Sequence, residues 1–273
     1  MQPRIFGPYE AIRRDYPIDE YLADIAANGV VSSVYVQANW ARDRAVDEVR
    51  WVAEQAAEAD WPIAIVGYCD LTADDAPQVL ERLAAVPEMR GIRMQLHWHE
   101  NEMYRFESVP DRANDPIFRR HLSLLADYGW SFDLQVFAGQ MADAARLAAD
   151  FPDIAFILQH CGMLEENSHK NRTLWREGML QLAEQDNVTC KLSGLGTFIH
   201  RNDAVHIADV VGETVGIFGP SRCLYGSNFP IEKLWCEYDE LMESYRQVLA
   251  AWPEDEQRQM LHDTAARVYR LGA

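Results

Sequence analysis

Ile154-Ala-Phe-Ile-Leu-Gln-His160-Cys-Gly162 is a short apolar run that breaks abruptly into a polar exit ending in glycine. The run suits a buried strand and the exit suits a turn. Working outward, the same unit recurs in both directions. The other runs are Val30–Val36, Ile63–Tyr68, Gly91–Leu96, Phe132–Phe137, Val188–Leu192 and Cys223–Tyr225. Their exits read Gln37-Ala-Asn39, Cys69-Asp70, His97-Trp-His99-Glu100, Ala138-Gly-Gln140, Ser193-Gly194 and Gly226-Ser-Asn228. Helical periodicity follows each exit, over about 43–59, 74–86, 116–128, 139–150, 171–185, 203–217 and 237–251, with a last amphipathic stretch at 254–270. Strands alternating with helices predict an α/β fold with a parallel sheet. The unit count points to a (β/α)8 barrel of the TIM type, whose active sites lie at the C-terminal ends of the strands. Seven of the eight units are visible.

No composition break or low-complexity linker divides the chain, so residues 1–273 are expected to form one domain. Aspartate and glutamate total 43 against 25 lysines and arginines, a net charge of −18. That balance argues against binding nucleic acid or an anionic membrane through a general positive field. The five cysteines, Cys69, Cys161, Cys190, Cys223 and Cys236, form no CxxC pair, the usage of a reducing compartment. The N-terminus has no signal-like apolar core and no run approaches membrane-spanning length, so the expected location is the cytoplasm. The expected partner is a small-molecule substrate.

Side chains alternate across a strand. Arg93, Gln95, His97 and His99 therefore share one face, opposite Ile92, Met94, Leu96 and Trp98. Asp133 and Gln135 form a similar set, as do Thr189, Lys191 and Ser193, and Tyr35, Gln37 and Asn39. Such inward polar groups fit either the wall of a polar-substrate site or a satisfied internal network. Arg93 and Lys191 are candidates to bind a substrate carboxylate or hydroxyls, with Gln37, Gln135, His97, His99 and Ser193 completing the wall. The competing reading pairs the two cations with Asp133 or Asp70. His97 and His99 alternate as two zinc ligands on one strand can, and equally as two hydrogen-bonding histidines. His121, His206 and His262 fall on helices and read as packing or surface residues. The sequence has no HExxH, no phosphate-binding glycine loop and no GxSxG elbow. The connection from His97 to Asp115 is the longest and is expected to overhang the mouth.

Three motifs in order, Phe151-Pro-Asp-Ile-Ala-Phe-Ile-Leu-Gln-His160-Cys-Gly162, Lys191-Leu-Ser193-Gly194 and Arg222-Cys-Leu-Tyr-Gly226-Ser-Asn228-Phe-Pro230, resemble the amidohydrolase-2 branch of the amidohydrolase superfamily. Within it the chain resembles lactonases acting on sugar lactones and pyrone-dicarboxylate. The resemblance runs from about Pro3 to Leu271. It implies a (β/α)8 hydrolase with a first-strand His-x-His, a middle-strand histidine that His160 matches, and a last-strand acid that activates water.

Two departures follow. The first strand and its His-x-His are absent, because the chain opens in what resembles the loop after that strand, which accounts for the missing unit. The last-strand position holds Asn228, and an amide cannot take a proton near neutral pH. Both changes remove ligands that family members use for a divalent metal such as zinc, so no tightly bound metal or other cofactor is expected. The expected activity is hydrolysis of a small polar lactone, with His160 as base or polarising group and Asn228 positioning water. After His160, the candidate bases are His97, His99 and Glu100. The alternatives are a metal-dependent decarboxylase of the same family and a barrel that binds a small molecule without turnover. An open barrel leaves two strand edges that invite a homo-oligomer, unless residues 1–17 cover the gap or the natural protein begins upstream, which is the favoured expectation.

Overall fold

The computed structural model describes residues 4–271. Its strands are β1 (Ser33–Val36), β2 (Ile63–Gly67), β3 (Met89–Ile92), β4 (Ser131–Leu134), β5 (Phe156–Leu158), β6 (Val188–Leu192) and β7 (Cys223–Tyr225). They hydrogen-bond in chain order, every neighbouring pair parallel. Helices fill each crossover, from Ala45–Glu58 after β1 to Tyr238–Leu249 after β7. The result is a (β/α)8-type barrel with seven strands, curled but not closed between β7 and β1.

Several predicted runs shorten at one end. Val30–Ser32 precede the ladder because the partner strand starts only after Pro62, whose carbonyl accepts the Ser33 N–H. Arg93 to Leu96 leave the regular ladder yet still bond to it, Arg93 N–H to the Gly67 carbonyl and Leu96 N–H to the Gln135 carbonyl. The strands thus splay where their polar exits begin. The helix predicted over 116–128 breaks into Pro116–Leu122 and Leu124–Tyr128, where the Ser123 hydroxyl bonds back to the Arg120 carbonyl at 2.8 Å. The last helix is interrupted by a π turn over Gln259–Asp263.

Helix-facing residues of the strands, Ile65, Ile92, Phe132, Phe156, Leu158 and Leu192 among them, are fully buried against the helical layer. Inside the barrel Ala64, Val66, Ile157 and Leu224 form a second apolar cluster around Tyr269, with Val34 and Val36 packed against it. The seam between the edge strands is therefore filled by side chains of the C-terminal helix rather than by strand hydrogen bonds. Outside the seam, the helix Ile18–Ile25 packs with Tyr238 and Met242, and the Lys233 ammonium ties it down through Glu20 (2.7 Å) and Asp24 (2.8 Å). All five cysteines are buried and free. Among the described residues, no helix is long and apolar enough to cross a membrane.

Candidate active site

The strand exits gather at one end of the barrel, and the backbone there is unusual. Asn39, His160, Gly194 and Asn228, from four different exits, all have φ between 54° and 64°. Cys161, Gly162 and Met163 continue the left-handed run after His160. Non-glycine residues adopt this region at a cost, and such strain clusters at functional sites. Gly194 is indispensable here for a second reason: a Cβ on it would lie 2.4 Å from His160 Nδ1.

That close approach seats the imidazole. His160 Nδ1 lies 2.8 Å from the Ser193 hydroxyl, and Nε2 has no protein partner among the described residues. Burial, then the cations Arg93 and Lys191, pull the His160 pKa down to about 3. His97 is likewise lowered to about 3 by burial, then by Arg93 and Arg4. Both rings are neutral at neutral pH. His97 stacks near Phe106 (5.2 Å) and Phe137 (5.8 Å), and its Nδ1 is buried without a partner. Three other buried atoms on this side of the barrel lack partners: Arg93 Nε, Gln95 Oε1 and Gln135 Oε1. Buried polar atoms are nearly always satisfied, so four together mark a place where a ligand or water belongs.

The inward-facing residues divide. Lys191 proves not to be a free substrate-binding amine: its ammonium bonds Asp133 at 2.9 Å and Gln159 at 3.1 Å. Gln159 donates to the same Asp133 oxygen at 2.9 Å, and the Tyr269 hydroxyl reaches the carboxylate from below at 3.0 Å. For this residue the internal-network reading holds, because Asp133 is wholly buried and needs these donors. Gln37 is partly spent on structure, accepting the Asn39 N–H at 2.7 Å, while Arg93 donates to its carbonyl. His99 sits further out, 3.5 Å from Glu165 and packed on Tyr104 and Phe137. Glu100 is exposed.

The long connection folds back over the site. Phe106 and Glu107 both donate their N–H to the His97 carbonyl, and the Gln140 side chain ties the Leu96 and Pro110 carbonyls together. Residues 4–12 cross the mouth from the other side. Arg4 lies 5.8 Å from the Phe106 ring, Gly7 backs onto His200, and Glu10–Ile12 packs on Glu232–Leu234.

Glu232 was not singled out from the sequence. Its carboxylate is buried one helical turn after Asn228, whose amide donates to it at 3.2 Å. Burial raises its pKa to about 7, against the weaker pull of the Asn228 and Gly196 N–H groups. A carboxyl tuned near neutrality beside a mouth-lining amide is suited to proton transfer. The available signal was the glutamate four residues after Asn228; what buries it, the approach of Gly196 from another loop, is not local.

The chain matches the Amidohydrolase family model, Amidohydro_2, over residues 1–271. It is 32% identical over 272 residues to the uncharacterized protein y4mH of Sinorhizobium fredii, covering 99% of this chain and 91% of that one. It is 30% identical over 286 residues to an L-fucono-1,5-lactonase of Burkholderia multivorans, covering 98% of this chain and 90% of that one. A crystal structure of an amidohydrolase from Burkholderia multivorans with bound zinc superposes with a TM-score of 0.83 at 28% identity, over 96% of this chain and 90% of that chain. The donor set here does not fit that ion: among the described residues no three His, Cys, Asp or Glu side chains converge to hold a metal. His160 has the Ser193 hydroxyl as its hydrogen-bond partner, and the Asn228 amide donates to the Glu232 carboxylate. The barrel, its three ordered motifs and these similarities over nearly the whole length establish that the chain belongs to the amidohydrolase family and is an enzyme of that family.

Proposed function

We propose that the protein hydrolyses the ring ester of a small polar lactone, using its own side chains rather than a resident metal. The observation that carries this reading is the His160–Ser193 bond of 2.8 Å at the strand ends, which fixes the ring and leaves Nε2 free. With the Ser193 hydroxyl donating to Nδ1, Nε2 carries the proton and donates to the lactone carbonyl. A neutral imidazole can serve as this donor, and its lowered pKa keeps it in one charge state near neutral pH. Arg93 supports the negative charge that develops on that oxygen.

Asn228 spends its N–H on Glu232, so its carbonyl oxygen is left to orient the attacking water. The water oxygen bonds to the carbonyl carbon and its proton passes to the Glu232 carboxylate, which titrates near neutrality. The ring C–O bond then breaks and the departing alkoxide recovers a proton, so that one water is added overall. The relatives named L-fucono-1,5-lactonase support a sugar lactone as the substrate class.

The test is acid release from a panel of aldonolactones, L-fucono-1,5-lactone included, followed with a pH indicator. Wild type should turn over at least one, and His160→Ala should lower kcat/KM by about 100-fold or more, the loss of one strong donor to a developing oxyanion. Turnover that survives His160→Ala removes this mechanism. A wild type inert toward the whole panel favours the barrel that binds without turnover.

A further inference from the structure

We propose that the cleft beside the β1, β2 and β3 exits is an anion subsite, in which Arg4 and Arg42 hold a carboxylate carried by the substrate. The lactone taken would then be an acidic one. The reacting ring rests on the lactonase reading; the anion does not.

Two adjoining hollows, each of about 140 Å³, share Arg42, Tyr68 and Phe106. The Arg42 guanidinium lies 5.7 Å from the Tyr68 ring and 5.6 Å from the Phe106 ring. Arg4 approaches the same Phe106 ring at 5.8 Å. Two cations are thus gathered around one aromatic side chain. Neither has a carboxylate partner or a side-chain hydrogen bond among the described residues, in a chain where acids outnumber bases. Other arginines of the chain are paired with acids: Arg172 bonds both Asp209 and Glu213, and Arg112 bonds Glu107 and Asp115.

The acids of the cleft, by contrast, are engaged. Glu48 accepts from the Tyr35 hydroxyl and the Ala38 N–H, each at 2.7 Å. Glu107 accepts from Ser108 and Arg112. The cleft therefore keeps its negative charges occupied and its positive charges open. A second observation points the same way. Gln95, only 8% exposed, lines one hollow with its Oε1 unpartnered, which suits a substrate hydroxyl.

Ring-flanked guanidinium groups are weakly hydrated, hold their plane and match a carboxylate through paired N–H donors. With Glu48 and Glu107 also in the walls, the cleft balances a single negative charge better than the double charge of a phosphate ester. The His97 ring lies 5.2 Å from the same Phe106 ring. The anion cleft thus adjoins the His97 ring at the β3 exit.

The experiment measures kcat/KM for neutral L-fucono-1,5-lactone and for carboxylate-bearing D-glucaro-1,4-lactone, in wild type, Arg42→Ala and Arg42→Lys. Calorimetric titration with D-glucarate and D-gluconate accompanies it. Wild type should prefer the acidic lactone by 10-fold or more. Arg42→Ala should cut that preference at least 10-fold, with Arg42→Lys between. Equal use of both lactones by wild type, or a loss in Arg42→Ala that is the same for both, overturns the subsite and leaves the lactonase reading standing. Tighter binding of D-glucarate than of D-gluconate that Arg42→Ala abolishes, with no lactone turned over, supports the subsite and refutes the lactonase reading. Binding of neither acid overturns the subsite. Preference for 6-phospho-D-glucono-1,5-lactone over the carboxylate overturns the assignment of the anion.

Discussion

Two layers of the barrel interior both turn polar groups inward, and they differ in whether those groups are satisfied. In the lower layer, Asp133 receives Lys191, Gln159 and Tyr269, and the charge is closed off from solvent on every side. In the upper layer, Arg93, Gln95, His97 and Gln135 each keep one buried atom unbonded. On β4 and its exit the two layers are two residues apart, Asp133 in one and Gln135 in the other. Composition does not separate them; the count of unmade hydrogen bonds does. A satisfied network stabilises one conformation, whereas an unsatisfied one waits for a ligand.

Lys191→Met breaks the comparison most forcefully. It strands the Asp133 carboxylate in the lower layer and should lower unfolding stability by about 3–5 kcal/mol, the cost of orphaning one member of a buried pair. Urea unfolding checks this; a loss below about 1 kcal/mol would mean that the layer is not closed. The next effect concerns protons. Glu232 has a pKa raised to about 7, so the native state holds a proton that the unfolded chain releases at lower pH. Its contribution is full at acid pH and is lost as the pH rises to about 7, whereas the lowered His97 and His160 cost stability as the pH falls below their ordinary value. Glu232→Gln should therefore gain on wild type between pH 5 and pH 8, by up to about 3 kcal/mol. Parallel pH profiles of the urea midpoint would contradict the buried, neutral-tuned carboxyl. The smallest effect is on the upper layer. Ser193→Ala frees the His160 ring and should lower kcat about 10-fold, near 1.4 kcal/mol, with KM little changed. A change in KM alone would place Ser193 in binding and not in ring orientation.

The repeating units, their order and the end of the barrel at which the polar strand exits gather were legible, because periodicity and exit chemistry are local. His160 stood out for that reason: a histidine at a strand exit followed by glycine needs no partner to be noticed. Lys191 was legible as inward-facing but not as occupied. Its partners Asp133 and Gln159 come from other strands, 58 and 32 residues away. Glu232 and Arg42 lie on 3-10 turns with no periodicity to report burial or direction. Arg4 enters the site only because residues 4–12 are laid across the mouth. Strand ends were overread wherever apolar residues continue past the last paired residue, as in Gly91–Leu96.

Tyr269 adds a timing constraint to folding. Its hydroxyl meets Asp133 across 136 residues of chain, so the carboxylate at the bottom of the barrel is made and buried long before its last donor is synthesised. Every strand can pair before that bond exists, but the interior cannot reach its final hydration until the C-terminal helix arrives. A chain halted short of this tyrosine would assemble its sheet around a carboxylate still open to water from below. Ribosome-bound and released chains should accordingly differ in how far they protect β4, even though they share every strand.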